Sequence, residues 1–243
     1  MANWSDPRAS AAPYAATGAA ARTDAYDAGL RSYMLSVYNY MASGVLLTGV
    51  VAMLFASSGM AAQVLATPLR WVIMLAPLAF VMVLSFGINR LSTAAAQGLY
   101  WAFAVVMGLS LSSIFLVFTG TSIATTFFAT AAAFAGLSLY GYTTKRDLSA
   151  FGTFLIMGVV GILIASLINL FVQSSGLQLV ISFIGVLLFA GLTAYDTQKI
   201  KAMYYQVQGS DFVGKSVVLG ALSLYLDFVN MFTFLLNFMG SRD

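Results

Sequence analysis

Two aspartates in apolar surroundings are the residues of this sequence best suited to chemistry. Asp196 lies in LLFAGLTAYDTQKIK, where it ends an apolar run, and Asp227 lies inside LSLYLDFVNMFTFLL. A charged side chain at the centre of a bilayer costs about 2.5–3.5 kcal/mol on insertion scales, so such residues usually have a function. The chain contains no histidine, glutamate or cysteine. Proton sensing must therefore depend on aspartates, and the commonest transition-metal ligands are missing.

The composition is that of an integral membrane protein. Of the 243 residues, 60% are hydrophobic and only 8% are charged, whereas a soluble domain carries about 25% charged residues. The net charge of +3 is small and is spread over the connections between apolar runs. Nucleic-acid binding is not expected, because the basic patch that it requires is missing.

Seven apolar runs are each close to the roughly 20 residues that a membrane helix needs. They predict an all-α bundle of seven transmembrane helices over residues 33–243, preceded by a mobile cytoplasmic tail over residues 1–32 with a short helix near Tyr26–Met34. The connectors TGT and QSSG are so short that the helices they join must be antiparallel neighbours. The predicted spans are Leu35–Ala56, Trp71–Ile88, Leu99–Phe118, Ser122–Tyr142, Phe151–Val172, Leu177–Thr197 and Val217–Met239.

Lysine and arginine are distributed unevenly between the two ends of these spans. Nine fall on one side, and only Arg70 and Arg242 fall on the other. The excess of positive charge marks the cytoplasmic side. The pattern therefore predicts a cytoplasmic N-terminus and an external C-terminus.

The seventh span carries polar and small residues at alternating spacings of four and three. The set is Ser216, Gly220, Ser223, Asp227, Asn230, Phe234 and Asn237. This heptad spacing places all seven on one helix face. A polar face cannot meet lipid, because its groups would have no hydrogen-bond partners there. The seventh helix is therefore predicted to lie inside the bundle, with Ser223, Asn230 and Asn237 as candidates for a polar path.

The two aspartates suggest a pH-sensitive device. Asp227 lies about eleven residues into its span, or roughly 17 Å at about 1.5 Å per residue, while Asp196 and Arg90 lie near the cytoplasmic ends of theirs. Two carboxyl groups buried together resist carrying two charges, and a nearby arginine opposes that effect. We expect such a pair to change its charge near neutral pH. Aspartate oxygens also suit Ca²⁺, so both residues are candidate calcium contacts.

Simpler interpretations exist for each of these residues. Serine and asparagine on an interior face often only join helices by hydrogen bonds, worth about 0.6 kcal/mol each. Asp196 could pair with Lys199 or Arg90 near water. Arg90 could serve only to orient its helix.

Long stretches of the sequence resemble the Bax inhibitor family, also called the transmembrane Bax inhibitor motif family. The resemblance is carried by LLFAGLTAYDTQKIK, by GALSLYLDFVNMFTFLLNFMG and by GLSLSSIFLVFTGTSIATTFFATAAAFAGLSLYGYTTKRDLS, and it runs from about Tyr33 to the end. It implies a seven-helix bundle with a central last helix and a pH-sensitive Ca²⁺ leak governed by Asp196 and Asp227. The family's arginine on the second helix corresponds to Arg90. Together with the tails, the resemblance predicts a bacterial inner-membrane protein.

Two other functions remain open from the sequence. The first is an interaction protein that regulates a membrane protease or a stress or cell-death response, with the N-terminal tail as its contact. The second is an intramembrane aspartyl protease, which carries Tyr-Asp and Gly-x-Gly-Asp elements. This chain has Tyr195–Asp196, but Tyr225–Leu226 precedes Asp227. We therefore expect no enzyme and no cofactor, with the lipid bilayer and Ca²⁺ as partners.

Overall fold

The computed structural model describes the backbone of residues 12–241 and the side chains of residues 28–241. Within that part of the chain it is all helical. The helices are α1 Ala12–Ser57, α2 Met60–Leu65, α3 Leu69–Gly87, α4 Thr93–Leu111, α5 Ile114–Val117, α6 Gly120–Thr143, α7 Ser149–Val172, α8 Ser175–Val207 and α9 Val213–Met239. A 3₁₀ turn over Ile88–Arg90 extends α3.

Seven of these segments are long and apolar enough to cross a membrane, which confirms the predicted seven-helix architecture. They cover Ala28–Ser57, Leu69–Arg90, Thr93–Val117, Gly120–Thr143, Ser149–Val172, Ser175–Val207 and Val213–Met239. Three of their starts are fixed locally by side-chain caps. Ser92, Thr119 and Ser174 each accept a hydrogen bond from the backbone amide three residues on, which satisfies one of the free amides at a helix start.

Several predicted helix ends were wrong. α8 continues for ten residues beyond the predicted end at Thr197, to Val207, because the polar residues after the apolar run are still good helix formers. The first helix is continuous from Ala12, so Tyr26–Met34 is not a separate short helix. Residues 1–11 of the predicted tail lie outside the described residues, and the tail stays a prediction.

α9 lies at the centre of the bundle, as the sequence predicts. It packs against α1, α3, α4, α6 and α8, and it has the largest buried share of the seven spans. Its buried residues occur on all sides of the helix, among them Val218, Ala221, Leu224 and Tyr225 beside the predicted polar face. A helix that is surrounded in this way must satisfy its polar groups within the protein.

α7 lies at the edge of the bundle. It packs mainly against α8, and most of its large apolar side chains point outward, with Phe171 88% exposed. Such a surface is costly in water and suits lipid chains. The outer helices therefore form the lipid-facing shell around the central α9.

Candidate functional site

The two acids singled out from the sequence lie on the two most closely associated helices, α8 and α9. Asp196 belongs to α8 and Asp227 to α9. Their carboxyl groups interact electrostatically with each other, and Lys199 interacts with both. The folded chain thus brings together two carboxyl groups and one ammonium group that are separated by up to about thirty residues in sequence.

Asp227 is the most deeply buried ionisable carboxyl among the described residues. It is 4% exposed, and its Oδ2 atom is buried without a hydrogen-bond partner among them. A buried polar group usually has a partner, because leaving it without one costs free energy. Asparagine would serve a purely structural role here at a lower free-energy cost of burial, because it carries no charge. This position is therefore a candidate for function.

Asp196 borders a small cavity between α3, α8 and α9. The cavity measures about 200 Å³, and its walls include Ser85, Lys199, Gly220 and Ser223. Asp196 is half-buried, whereas Asp227 is buried. The pair therefore combines one acid that reaches a cavity with one that the bundle encloses.

Arg90 does not contact Asp196 in this arrangement. Its side chain is exposed, and no ion pair joins it to any described residue. The cation beside Asp196 is Lys199, which is one turn further along α8. Sequence reasoning considered Lys199 only as a simple surface partner, although its spacing of three residues from Asp196 favours contact on a helix. The role of Arg90 in gating stays a prediction.

The polar residues predicted for a path occupy three different surroundings. Ser223 lies on the wall of the cavity beside Asp196. Asn230 is half-buried and donates from Nδ2 to the Leu226 carbonyl at 2.8 Å. Asn237 is exposed and donates to the Thr233 carbonyl at 2.8 Å. The polar face thus meets other helices over its first half and emerges from the bundle near its end.

A chain of hydroxyl groups links three helices beside the acidic pair, and sequence reasoning missed it. The Tyr38 hydroxyl of α1 donates to Ser138 Oγ of α6 at 3.0 Å. Ser138 Oγ and Thr197 Oγ1 of α8 are 3.0 Å apart. Thr197 directly follows Asp196 in the chain. Such isolated hydroxyls follow no spacing rule, so only the fold reveals them.

A second hydroxyl contact fixes α9 against α1. The oxygens of Thr48 and Tyr225 are 2.7 Å apart, and Thr48 donates to the Ala104 carbonyl at 2.8 Å. All three residues are buried. The contact satisfies the Tyr225 hydroxyl at the core of the bundle.

A larger cavity lies elsewhere. It measures about 790 Å³, lies between α1 and α6, and contains neither aspartate. Its lining is almost entirely apolar. We place the candidate site at the acidic pair and not at this cavity, because no carboxyl group lines this cavity.

The acidic pair offers two carboxyl groups to a metal ion. No group of three or more acidic, histidine or cysteine side chains occurs among the described residues. Ca²⁺ usually takes six to eight oxygen ligands. Two carboxyl groups alone supply only part of such a ligand set.

Together, these features define a polytopic α-helical membrane protein whose central helix presents a buried acid to an acid on its neighbour. The family model described as "Inhibitor of apoptosis-promoting Bax1" matches residues 30–243. The chain belongs to this Bax inhibitor family, which confirms the resemblance noted from the sequence.

Several bacterial proteins are similar over nearly their whole length. An uncharacterized protein of Rickettsia prowazekii is 48% identical over 219 residues, which covers 89% of this chain and 92% of that protein. The inner membrane protein YbhL of Escherichia coli K12 is 48% identical, with 88% and 94% covered. A protein of Caulobacter vibrioides is 44% identical, with 94% and 96% covered.

Proposed function

We propose that this protein is a pH-sensitive membrane channel that allows a passive leak of cations, with Ca²⁺ as the main cargo. Asp196 and Asp227 form the gating pair. The observation that carries the proposal is the burial of Asp227 in the central helix, with Oδ2 unpartnered and with Asp196 near enough to interact. An ionisable group inside the bilayer that faces the bundle interior is typical of ion pathways.

The gating step follows from the charges around the pair. Two ionised carboxylates repel each other, and Lys199 offsets only part of that repulsion. Gaining or losing one proton therefore changes the force between α8 and α9. The pair titrates as a unit, so its pH response belongs to both residues. The chain has no histidine that could supply a response in the same range.

We propose a bacterial inner membrane as the location. The relative in Escherichia coli K12 is named an inner membrane protein, and the described residues of this chain contain seven segments able to span a membrane. The excess of Lys and Arg on one side supports a cytoplasmic N-terminus. We propose no enzymatic activity and no cofactor for this protein.

The orientation gives a first prediction. An alkaline phosphatase reporter fused after Asp243 should be active, and a green fluorescent protein fusion there should be dark, because seven spans place that end outside the cytoplasm. The matched control is the same pair of reporters fused within the connection at Gly209–Ser210, where the pattern should reverse. A fluorescent fusion after Asp243 would contradict the seven-span topology.

Calcium flux gives the second prediction. Purified protein in liposomes should allow passive Ca²⁺ entry that varies with pH between pH 5 and 8, whereas protein-free liposomes should not. Deleting residues 1–27, which precede the first membrane-spanning segment, should leave the flux unchanged, because the acidic pair lies within the bundle. The measurement is the fluorescence of an enclosed Ca²⁺ indicator.

The deletion also distinguishes the alternative function. A regulator of a membrane protease would act without flux of its own, and loss of its tail would alter the protease and not the liposome assay. Absence of any protein-dependent Ca²⁺ entry at every pH would overturn the channel proposal in favour of that regulator.

A further inference from the structure

A second polar pocket lies close to the acidic pair, at the end of the bundle that carries most Lys and Arg. It measures about 370 Å³ and lies between the α6–α7 connection and α8. The residues that matter on its walls are Lys145, Arg146, Asp147, Tyr195, Gln198 and Lys199. None of them is needed for the gating step except Lys199.

Hydrogen bonds hold the walls of this pocket in place. Gln198 of α8 donates from Nε2 to the Arg146 carbonyl at 2.8 Å and accepts from the Leu148 amide at 2.9 Å. On the other side, Gly152 of α7 packs against the Tyr195 ring so closely that a side chain there would collide with it. The α6–α7 connection is therefore fixed to α8, and the cations on it have a defined position.

The pocket has an excess of positive charge. Lys145, Arg146 and Lys199 form no ion pair with any described residue. The one carboxylate on the wall, Asp147, accepts a hydrogen bond from the Ser149 amide at 2.9 Å. Hydrogen bonding from the side chain and backbone of Ser149 lowers the pKa of Asp147, so this acid stays ionised and is satisfied by the start of α7. Three cations thus face the pocket against one carboxylate that is already engaged.

Lys199 belongs to two sites at once. It lines both the basic pocket and the cavity beside Asp196. Its ammonium group lies 6.0 Å from the centre of the Tyr195 ring, and it interacts with both aspartates. A ligand that attracts Lys199 in the pocket therefore competes with the acidic pair for the same charge.

We propose that this basic pocket binds a phosphate group and that Lys199 carries the effect of binding to Asp196. Arginine and lysine are the usual partners of phosphate, and basic pockets between helices on the cytoplasmic side of a membrane bind anionic headgroups. The phosphate can come from an anionic phospholipid or from free phosphate in solution. Binding goes beyond the proposed channel, whereas the effect on flux rests on it.

Binding is tested without any measurement of flux. The full chain in detergent is titrated with short-chain phosphatidylglycerol, with short-chain phosphatidylcholine and with inorganic phosphate, and its thermal unfolding is followed. Phosphatidylglycerol should raise the melting temperature and phosphatidylcholine should not. The Lys145→Gln/Arg146→Gln variant should bind about 30-fold more weakly, or about fivefold for each cation removed.

The matched control is Lys215→Gln. This cation lies on the same side of the membrane but outside the pocket, with its Nζ atom 5.8 Å from the centre of the Phe212 ring. Its loss should therefore leave the lipid titration unchanged. A response to phosphatidylglycerol alone identifies a lipid headgroup as the ligand, and a response to inorganic phosphate as well identifies the phosphate group from either source. The site would be overturned if wild type and the double variant bound phosphatidylglycerol equally well. It would also be overturned if neither phosphatidylglycerol nor inorganic phosphate changed the melting temperature.

The effect on the acidic pair is tested separately in liposomes. Replacing phosphatidylcholine by phosphatidylglycerol should raise Ca²⁺ flux at pH 7 by about fivefold. The reason is that bound phosphate neutralises the charge of Lys199, the cation beside the acidic pair. The Lys145→Gln/Arg146→Gln variant should lose this difference. Flux that does not respond to the lipid in a protein that binds it would overturn the role of Lys199 and leave the channel proposal intact. Absence of all flux would overturn the channel and leave the binding site intact.

Discussion

Replacing both acids, Asp196→Asn with Asp227→Asn, is expected to remove nearly all pH dependence of Ca²⁺ flux between pH 5 and 8. The two groups interact, and the chain has no histidine to respond in that range. The two single asparagine variants should differ from each other in their Ca²⁺ flux. Asp196→Asn should raise the leak at alkaline pH, because it removes the acceptor that holds a cation at the cytoplasmic mouth.

Asp227→Asn should lower the flux and flatten its pH response, because a charge along the path is lost and one titrating group remains. The loss is expected on the order of tenfold, which corresponds to only ~1.4 kcal/mol of lost stabilisation of the passing cation. Flux into liposomes at stepped pH measures both effects.

The matched control for these variants is Asp211→Asn. Asp211 is exposed in the turn between α8 and α9, so its loss should leave the pH profile unchanged. A wild-type profile in the double asparagine variant would show that the pair is not the gate. Gating would then have to come from another aspartate, such as Asp147 or Asp211, or from the lipid.

The second large effect concerns the contact between α6 and α8. A side chain at Gly141 would collide with the backbone of Ala194, including its carbonyl oxygen. Backbone atoms cannot move aside as a flexible side chain can, so Gly141→Ala should force the two helices apart. We expect a destabilisation of about 1–3 kcal/mol, or roughly 3–10 °C in melting temperature.

The same helix provides the control. A side chain at Gly136 would meet nothing within 4 Å, so Gly136→Ala should leave the melting temperature unchanged or slightly raised, since alanine favours helix. Thermal unfolding in detergent compares the two variants directly. Equal melting temperatures would mean that α6 and α8 are not in backbone contact at this point.

The sequence was sufficient for the architecture because membrane helices obey strong rules. Apolar runs of spanning length predicted the seven helices, and the polar spacing on the last one predicted its central position. The rule is strong because no irregular backbone is tolerated against lipid. Helix ends were less predictable, since α8 continues through Gln198, Lys199 and Lys201 into polar sequence.

The site was only partly predictable for a related reason. Hydropathy and spacing identified Asp196 and Asp227 as unusual, but they do not fix how far each helix is rotated about its axis. Rotation decides that Arg90 of the α3 end is exposed and forms no ion pair with Asp196, whereas Lys199 lies beside Asp196 through its spacing on the same helix. It also decides that Tyr225, which is off the polar face, meets Thr48 in the core. Contacts of this kind depend on three-dimensional packing that no single-helix pattern contains.

The hydroxyl chain from Tyr38 through Ser138 to Thr197 has a mechanical consequence for the proposed gate. The Ser138 and Thr197 hydroxyls carry no ionisable charge, so the hydrogen bond that holds α8 at this point does not depend on pH. The residue that changes charge is the neighbour of Thr197, about 100° away around the helix. A force on Asp196 therefore acts to one side of the helix axis, while the next residue, Thr197, is held in place by its hydrogen bond to Ser138. In the proposed channel, α8 therefore responds to protonation of the acidic pair by rotating about the fixed Thr197, and not by shifting along its own axis.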